Sequence, residues 1–344
     1  MKKVLTGNEV VIEAALASGA TGYAGYPITP TTEIMTEWEQ KATKNKQQLL
    51  FIQSEDEMAA GFMTCGMIIG GRKAFTATGG PGNVLMQDPL SMAESLRLPL
   101  VVIVGQRGGP STGSVIYSQQ ELFLSAWGGN SEGYRIVYSA SNLTDLYNCV
   151  IKAFNVAWTY RWPAIVLTDG YLLKTENEVD IMPPKKIVSS YPLMVKKTVR
   201  DTSNESEYVN WCNTYSTEED LYVFNKTLHQ DFAAMTKKIV EYEIYPQMRK
   251  TMIVAHGLIA ASVKEALLND QNCFLFRPIT INPFPVQEFN KCAAAVDKII
   301  VIESAYNQLI RVVKENLQVK DIPIVHWGKP GIGISAQEIW KIIK

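Results

Sequence analysis

The sequence predicts an α/β protein built from two parallel-sheet domains, and three observations point there. Apolar, β-branched runs alternate with helical periodicity at short intervals as far as about residue 180. A polar, proline-marked stretch then interrupts the alternation, which resumes at Thr251 and continues to the C-terminus. Strand–helix alternation feeds a parallel sheet with helices on both faces, and doubly covered strands read as continuous apolar runs. With 344 residues, 47% of them hydrophobic, the chain can bury more than one core.

Taken in order, Val10 to Leu16 reads as a helix, Gly22 to Tyr26 as a strand ending at Pro27, and Thr31 to Trp38 as a helix. Leu49 to Gln53 is a strand, followed by Met58 to Ile69, a nearly all-apolar helix whose Ala and Gly residues suit close packing. Strands Lys73 to Thr78 and Leu100 to Gly105 flank a helix over Val84 to Leu96. Strand Tyr134 to Tyr138, helix Leu143 to Trp158 and strand Ala164 to Thr168 complete a first domain over residues 1–182. Residues 183–249 read as a connecting arm: Pro183-Pro184-Lys185-Lys186, a solvated stretch holding Asp201, Glu205 and Glu207, and one amphipathic helix from Gln230 to Tyr242. In the second domain, residues 250–344, strands are expected at Thr251–Ala255, Cys273–Phe276, Lys298–Glu303 and Ile322–His326. Helices are expected at Ala260–Leu268, from Asn307, and at Ala336–Ile343.

Composition excludes several functions. A net charge of −1 gives no attraction for nucleic acid or an anionic membrane. No run approaches the roughly 18 apolar residues of a membrane span, and Thr6-Gly7-Asn8-Glu9 interrupts any signal-peptide core, so a cytoplasmic protein is expected. Cys65, Cys149, Cys212, Cys273 and Cys292 are scattered with no C-x-x-C pair, which reads as reduced thiols and argues against an iron–sulfur cluster or zinc held by this chain alone. His229, His256 and His326 share no ligand spacing, so no metal is assigned here.

Ligands of parallel sheets bind beyond the carboxyl ends of the strands, and four unusual loops fall at such ends. In Gly25-Tyr26-Pro27-Ile28-Thr29-Pro30, two prolines fix the backbone around Thr29; the competing reading is a turn in which Thr31 or Thr32 caps the next helix. In Gln53-Ser54-Glu55-Asp56-Glu57, Ser54 and Glu57 fit a capping box, which leaves Glu55, at the first helical position, as either a structural acid or a ligand-facing one. Gly79-Gly80-Pro81-Gly82 lets backbone amides approach a ligand closely, without being a nucleotide fingerprint. Arg107, opening the run to Gly113, can fork onto a carboxylate or lie free on a loop.

Together these stretches resemble the alpha subunit of the 2-oxoacid:ferredoxin oxidoreductases, thiamine-diphosphate enzymes. The likeness rests on Gly7-Asn8-Glu9, Tyr26 to Pro30, Glu55 with its Ala/Gly-rich helix, Gly79 to Gly82 and Arg107 to Gly113. Arg277-Pro278, Asn282 to Pro285, Val301 to Ser304 with Gln308, and Gly328 to Gly331 extend it through the second half. The resemblance implies a pyrimidine-binding thiamine domain followed by a transketolase C-terminal-like domain. It implies that Glu55 hydrogen-bonds the aminopyrimidine and so promotes removal of the cofactor's C2 proton. Tyr26, Pro27, Ile28, Gly79, Gly80, Pro81 and Gly82 would line the cofactor, and Thr29 and Arg107 would address the substrate. It implies oxidative decarboxylation of a 2-oxoacid to acyl-coenzyme A and carbon dioxide, with reduction of ferredoxin.

A partner beta subunit would bring the diphosphate half and Mg2+, and gamma or delta ferredoxin-like subunits the iron–sulfur clusters. The Arg107–Gly113 run is similar to 2-oxoglutarate members, whereas the length and the Gly328-Lys329-Pro330-Gly331 ending are more like 2-oxoisovalerate members. Ser114 to Tyr117 departs from the family's Pro-Thr pattern. Two other classes compete: a scaffold subunit without catalysis, and a two-domain nicotinamide-dependent dehydrogenase, which the missing glycine fingerprint disfavours.

Overall fold

Parallel strands dominate both large sheets of the computed structural model, which describes residues 2–194 and 212–344. The acids expected at 201, 205 and 207 lie outside the described residues. The first sheet has seven strands in the spatial order Thr280–Asn282, Ile136–Ser139, Ala164–Asp169, Val101–Gln106, Ala74–Thr78, Gly22–Gly25, Leu50–Gln53. All neighbours pair in parallel except the outermost, Thr280–Asn282, which runs antiparallel to Ile136–Ser139. The central strands are apolar on both sides because helices cover both faces: Val101 to Val104 and Ala164 to Leu167 are fully buried.

One face carries the helices Gly7–Ala17 and Leu143–Tyr160. The first begins at a reciprocal Thr6/Glu9 capping box and the second at Asn142, whose side chain accepts the Asp145 N–H. Beneath them Tyr23, Trp38, Phe75 and Phe154 pack edge to face, with centroids 4.9 to 5.8 Å apart for the Tyr23–Phe75, Trp38–Phe75 and Phe75–Phe154 pairs. The opposite face carries Glu57–Ile69, where Gly61 leaves room for the Pro89 ring. The single helix expected over Val84–Leu96 is two, Pro81–Leu85 and Gln87–Ser95. Pro89 has no N–H to give Leu85, and its ring excludes that carbonyl, so the helix breaks at Met86.

The second sheet is ordered Ile324–Gly328, Lys298–Glu303, Thr251–Val254, Cys273–Pro278, Tyr242–Tyr245, with only the last antiparallel. Tyr242–Tyr245 precedes the boundary expected at 250. The helix expected from Gln230 starts at Glu218, where Thr217 caps it, and ends at Ile239. A two-stranded ribbon, Lys2–Thr6 against Glu176–Asp180, was not expected either.

The two sheets are stitched together by the motifs of the second half. Arg277 donates to the Ser139 carbonyl at 2.9 Å and pairs with Asp145 and Glu243. Asn282 Nδ2 donates to the Gly133 carbonyl at 2.8 Å. Ser304 N and Gln119 Oε1 meet at 2.9 Å, and Gln119 N returns a bond to the Ser304 carbonyl.

Candidate active site

The sheet order decides what the site contains. Strands Leu50–Gln53, Gly22–Gly25, Ala74–Thr78 and Val101–Gln106 are successive neighbours running the same way, so the four singled-out loops leave the same edge side by side. Arg107 is the pivot. It is only 5% exposed, and its Nη1 donates to the Thr29 carbonyl at 2.8 Å. The bond to the Tyr26–Pro30 loop is therefore to its backbone; the Thr29 residue is otherwise exposed. Asn8 supports the same loop from below, with Nδ2 3.5 Å from the Pro30 carbonyl. Thr31 does not cap through its side chain: its hydroxyl donates back to the Ile28 carbonyl at 2.9 Å.

The Gly79–Gly82 turn lies against Arg107. Gly80 has φ 59° and ψ −127°, a conformation that side chains avoid, and a Cβ there would overlap Arg107 Nε. A Cβ on Gly79 would strike the Gly105 carbonyl, and one on Gly82 would overlap both Glu57 Oε1 and Thr78 Oγ1. The turn is thus pressed into the space between the arginine and a carboxylate. Gly80→Ala should lower the melting temperature, since holding alanine in that backbone region costs about 1–3 kcal/mol. Gly66→Ala, on the exposed side of Glu57–Ile69 with nothing near an added Cβ, should instead stabilise by about 1 kcal/mol. Thermal melts of the two variants check both signs.

The start of the helix that carries Glu57 departs from the sequence expectation. The helix begins at Glu57, with Asp56 as N-cap accepting the Ala59 N–H at 2.6 Å, and no Ser54/Glu57 capping box forms. Ser54 Oγ donates to the Asp56 carbonyl instead. Glu55 is therefore two residues outside the helix and exposed, whereas Glu57, first in the helix, is buried against the glycine turn. Burial pushes the Glu57 carboxyl up; the neighbouring Asp56 charge adds to this, and the Arg107 guanidinium opposes it.

Two further acids at this edge were not singled out in the sequence. Glu121 is buried, and its Oε1 accepts both the Gly80 N–H and the Arg107 N–H at 2.9 Å while Oε2 accepts Asn83 Nδ2 at 3.0 Å. Its only signal was a lone acid opening the apolar run Leu122 to Trp127. Asp169, at the end of the next strand, caps Gly170–Lys174, and burial pushes it up to about 7.

Residues 13–244 match the family described as "Pyruvate flavodoxin/ferredoxin oxidoreductase, thiamine diP-bdg". The chain belongs to that family. It is 28% identical over 336 residues to ketoisovalerate oxidoreductase subunit VorB of Methanothermobacter thermautotrophicus, covering 94% of this chain and 92% of that one. It is 29% identical over 329 residues to 2-oxoglutarate synthase subunit KorA of Methanocaldococcus jannaschii, covering 89% of each. Its fold is that of 2-oxoglutarate:ferredoxin oxidoreductase from Magnetococcus marinus, a structure with 2-oxoglutarate, coenzyme A and succinyl-CoA bound: TM-score 0.88 at 23% identity, over 99% of this chain and 64% of that chain.

The residues present fit the family's thiamine diphosphate. Arg107 Nε and Thr78 Oγ1 are buried and lack a hydrogen-bond partner among the described residues, and both border the glycine turn next to the Glu57 carboxylate. Polar atoms left unpaired at a sheet edge are what a polar ligand would satisfy. No cluster of His, Cys, Asp and Glu able to hold a metal occurs among the described residues. Nor is any helix there long and apolar enough to cross a membrane.

Proposed function

We propose that this chain is the pyrimidine-binding alpha subunit of a 2-oxoacid:ferredoxin oxidoreductase, catalysing oxidative decarboxylation of a 2-oxoacid to acyl-coenzyme A and carbon dioxide with reduction of ferredoxin. The observation that carries this is the buried Arg107 guanidinium facing the Gly79–Gly82 turn, with the Glu57 carboxylate on the turn's other side, in a chain of this family. Arg107 is the carboxylate receptor: its guanidinium donates to the Thr29 carbonyl and makes no ion pair among the described residues, while its charge bears on the nearby Glu57 and Glu121 carboxyls. Thr29 orients it from the neighbouring loop. The pyrimidine contact, which the resemblance put on Glu55, we assign to Glu57, because only Glu57 is buried at the turn.

Thiamine diphosphate, when bound, supplies the nucleophilic carbon and the electron sink that decarboxylation needs. Glu57 would hydrogen-bond the aminopyrimidine and so promote removal of the cofactor's C2 proton, and its buried position at the glycine turn keeps water from competing for that contact. Tyr26, Pro27 and Ile28, with Gly79 to Gly82, shape the wall. A beta subunit carrying the diphosphate and Mg2+ half, gamma or delta ferredoxin-like subunits carrying the iron–sulfur clusters, and a cytoplasmic setting complete the assignment.

Reconstitution with partner subunits that co-purify from the native host, followed by viologen reduction with 2-oxoglutarate, 2-oxoisovalerate and pyruvate, tests the function; no reduction with any 2-oxoacid would overturn it. The VorB and KorA likenesses are nearly equal in identity, so the panel also ranks the acids. If the diphosphate half lies on a partner, the isolated chain should bind thiamine diphosphate with Mg2+ poorly in titration calorimetry. Tight binding without a partner would overturn the half-site reading.

A further inference from the structure

We propose that Glu121 is a positioning residue for the 2-oxoacid carboxylate, holding the Arg107 main chain and the Gly80 turn at a fixed spacing through one shared carboxylate. The proposal rests on the reading of Arg107 as the carboxylate receptor. Two loops that leave different strands, after Thr78 and after Gln106, have their backbone amides drawn to the same Glu121 oxygen, each at 2.9 Å. That common acceptor fixes where Gly80 sits against the Arg107 side chain, and hence which way the guanidinium points.

The second oxygen makes a carboxylate necessary. It accepts Asn83 Nδ2 at 3.0 Å, and Asn83 cannot turn over, because its Oδ1 already accepts Gln87 Nε2 at 3.1 Å and Gln87 is itself fixed by Arg135 Nη1 donating to its Oε1 at 2.8 Å. A glutamine at 121 would set its own N–H2 against that donor or withdraw an acceptor from the two backbone amides. Glu121 is also held from behind. Two residues earlier, Gln119 is bonded to Ser304 and, through Nε2, to the His256 carbonyl at 2.9 Å, while Phe123 N donates to Gln308 Oε1 at 2.9 Å. The segment carrying Glu121 is thereby anchored to the second sheet, which gives that domain a part in substrate geometry.

The test uses the complex reconstituted with its partner subunits. Binding of oxamate, a 2-oxoacid mimic that cannot lose carbon dioxide, is measured by titration calorimetry, with kcat and KM for the 2-oxoacid and for coenzyme A, and the melting temperature. Glu121→Gln should raise the oxamate Kd and the 2-oxoacid KM by about tenfold, the scale of one misplaced charge-assisted contact. The coenzyme A KM should stay at the wild-type value, which a general loss of structure would not spare. Glu121→Asp keeps the charge but shortens its reach, and should give a smaller rise; it serves where the glutamine variant does not fold. An unchanged oxamate Kd in the variant that folds, or an equal rise in both KM values, overturns the proposal. Arg107→Lys is the control on its premise: unaltered oxamate binding there removes the receptor reading itself, whereas a loss there with none at Glu121 removes only the positioning role.

Discussion

Glu57→Gln should lower turnover of the reconstituted complex by at least about a hundredfold, the range lost when a positioned proton-transfer group is removed, without lowering the melting temperature. The pH dependence distinguishes this from damage. Burial holds the folded-state pKa of Glu57 above its unfolded value, with Asp56 adding to the rise and Arg107 offsetting part of it. A raised carboxyl contributes stability that is fully present below the unfolded-state pKa and is lost as pH rises through the folded-state pKa. Glutamine does not titrate. The melting temperature of Glu57→Gln relative to wild type should therefore climb as the pH is taken upward from the ordinary carboxylate range toward neutrality. Glu55→Gln, at an exposed position outside the helix, should stay within about 0.5 kcal/mol of wild-type stability and keep its activity. Loss of turnover in Glu55→Gln with Glu57→Gln active would return the role to Glu55.

The two-residue difference between those acids shows where sequence reading stops. Ser54 and Glu57 have the spacing of a capping box, and that explanation absorbed Glu57 as a helix-end residue. Asp56 took the cap instead, and the frame shift turned Glu57 inward and left Glu55 outside. Local patterns offer several competent caps, and only packing against the glycine turn chooses between them. Glu121 is harder still. It lies in no motif, and its value comes from two amides that are 41 and 14 residues away in sequence.

Strands showed the same division. Lys298–Glu303 was legible to the residue because a run of this length, rich in β-branched Ile and Val, favours a doubly covered strand over a buried helix. The Lys2–Thr6 ribbon was not, because its half-exposed strands owe their existence to a partner near residue 178. Thr280–Asn282, three residues long, is recruited across to the first sheet by Ile136–Ser139 and not by any propensity of its own. The α/β class with parallel-dominated sheets survived these misses because it depends on long apolar runs, whereas the site depends on single side chains.

Arg107→Lys should reduce kcat/KM for every 2-oxoacid by about ten- to a hundredfold. The guanidinium already gives one N–H to the Thr29 carbonyl and lies with Nε against the Gly80 turn, so its remaining edge is aimed by contacts on two loops. A lysine ammonium is a point charge that lacks this planar fork and cannot hold the carbonyl and a two-pronged carboxylate contact in one geometry. Losing a charge-assisted contact of this kind costs about 1.5–3 kcal/mol. Because the C1 carboxylate is common to all 2-oxoacids and departs as carbon dioxide, the loss should be shared between KM and kcat and should not depend on the side chain of the acid. Comparing kcat/KM for 2-oxoglutarate and 2-oxoisovalerate in wild-type and Arg107→Lys complexes measures this directly. A loss confined to 2-oxoglutarate would place the guanidinium on the distal carboxylate, and the C1 assignment would have to be given up.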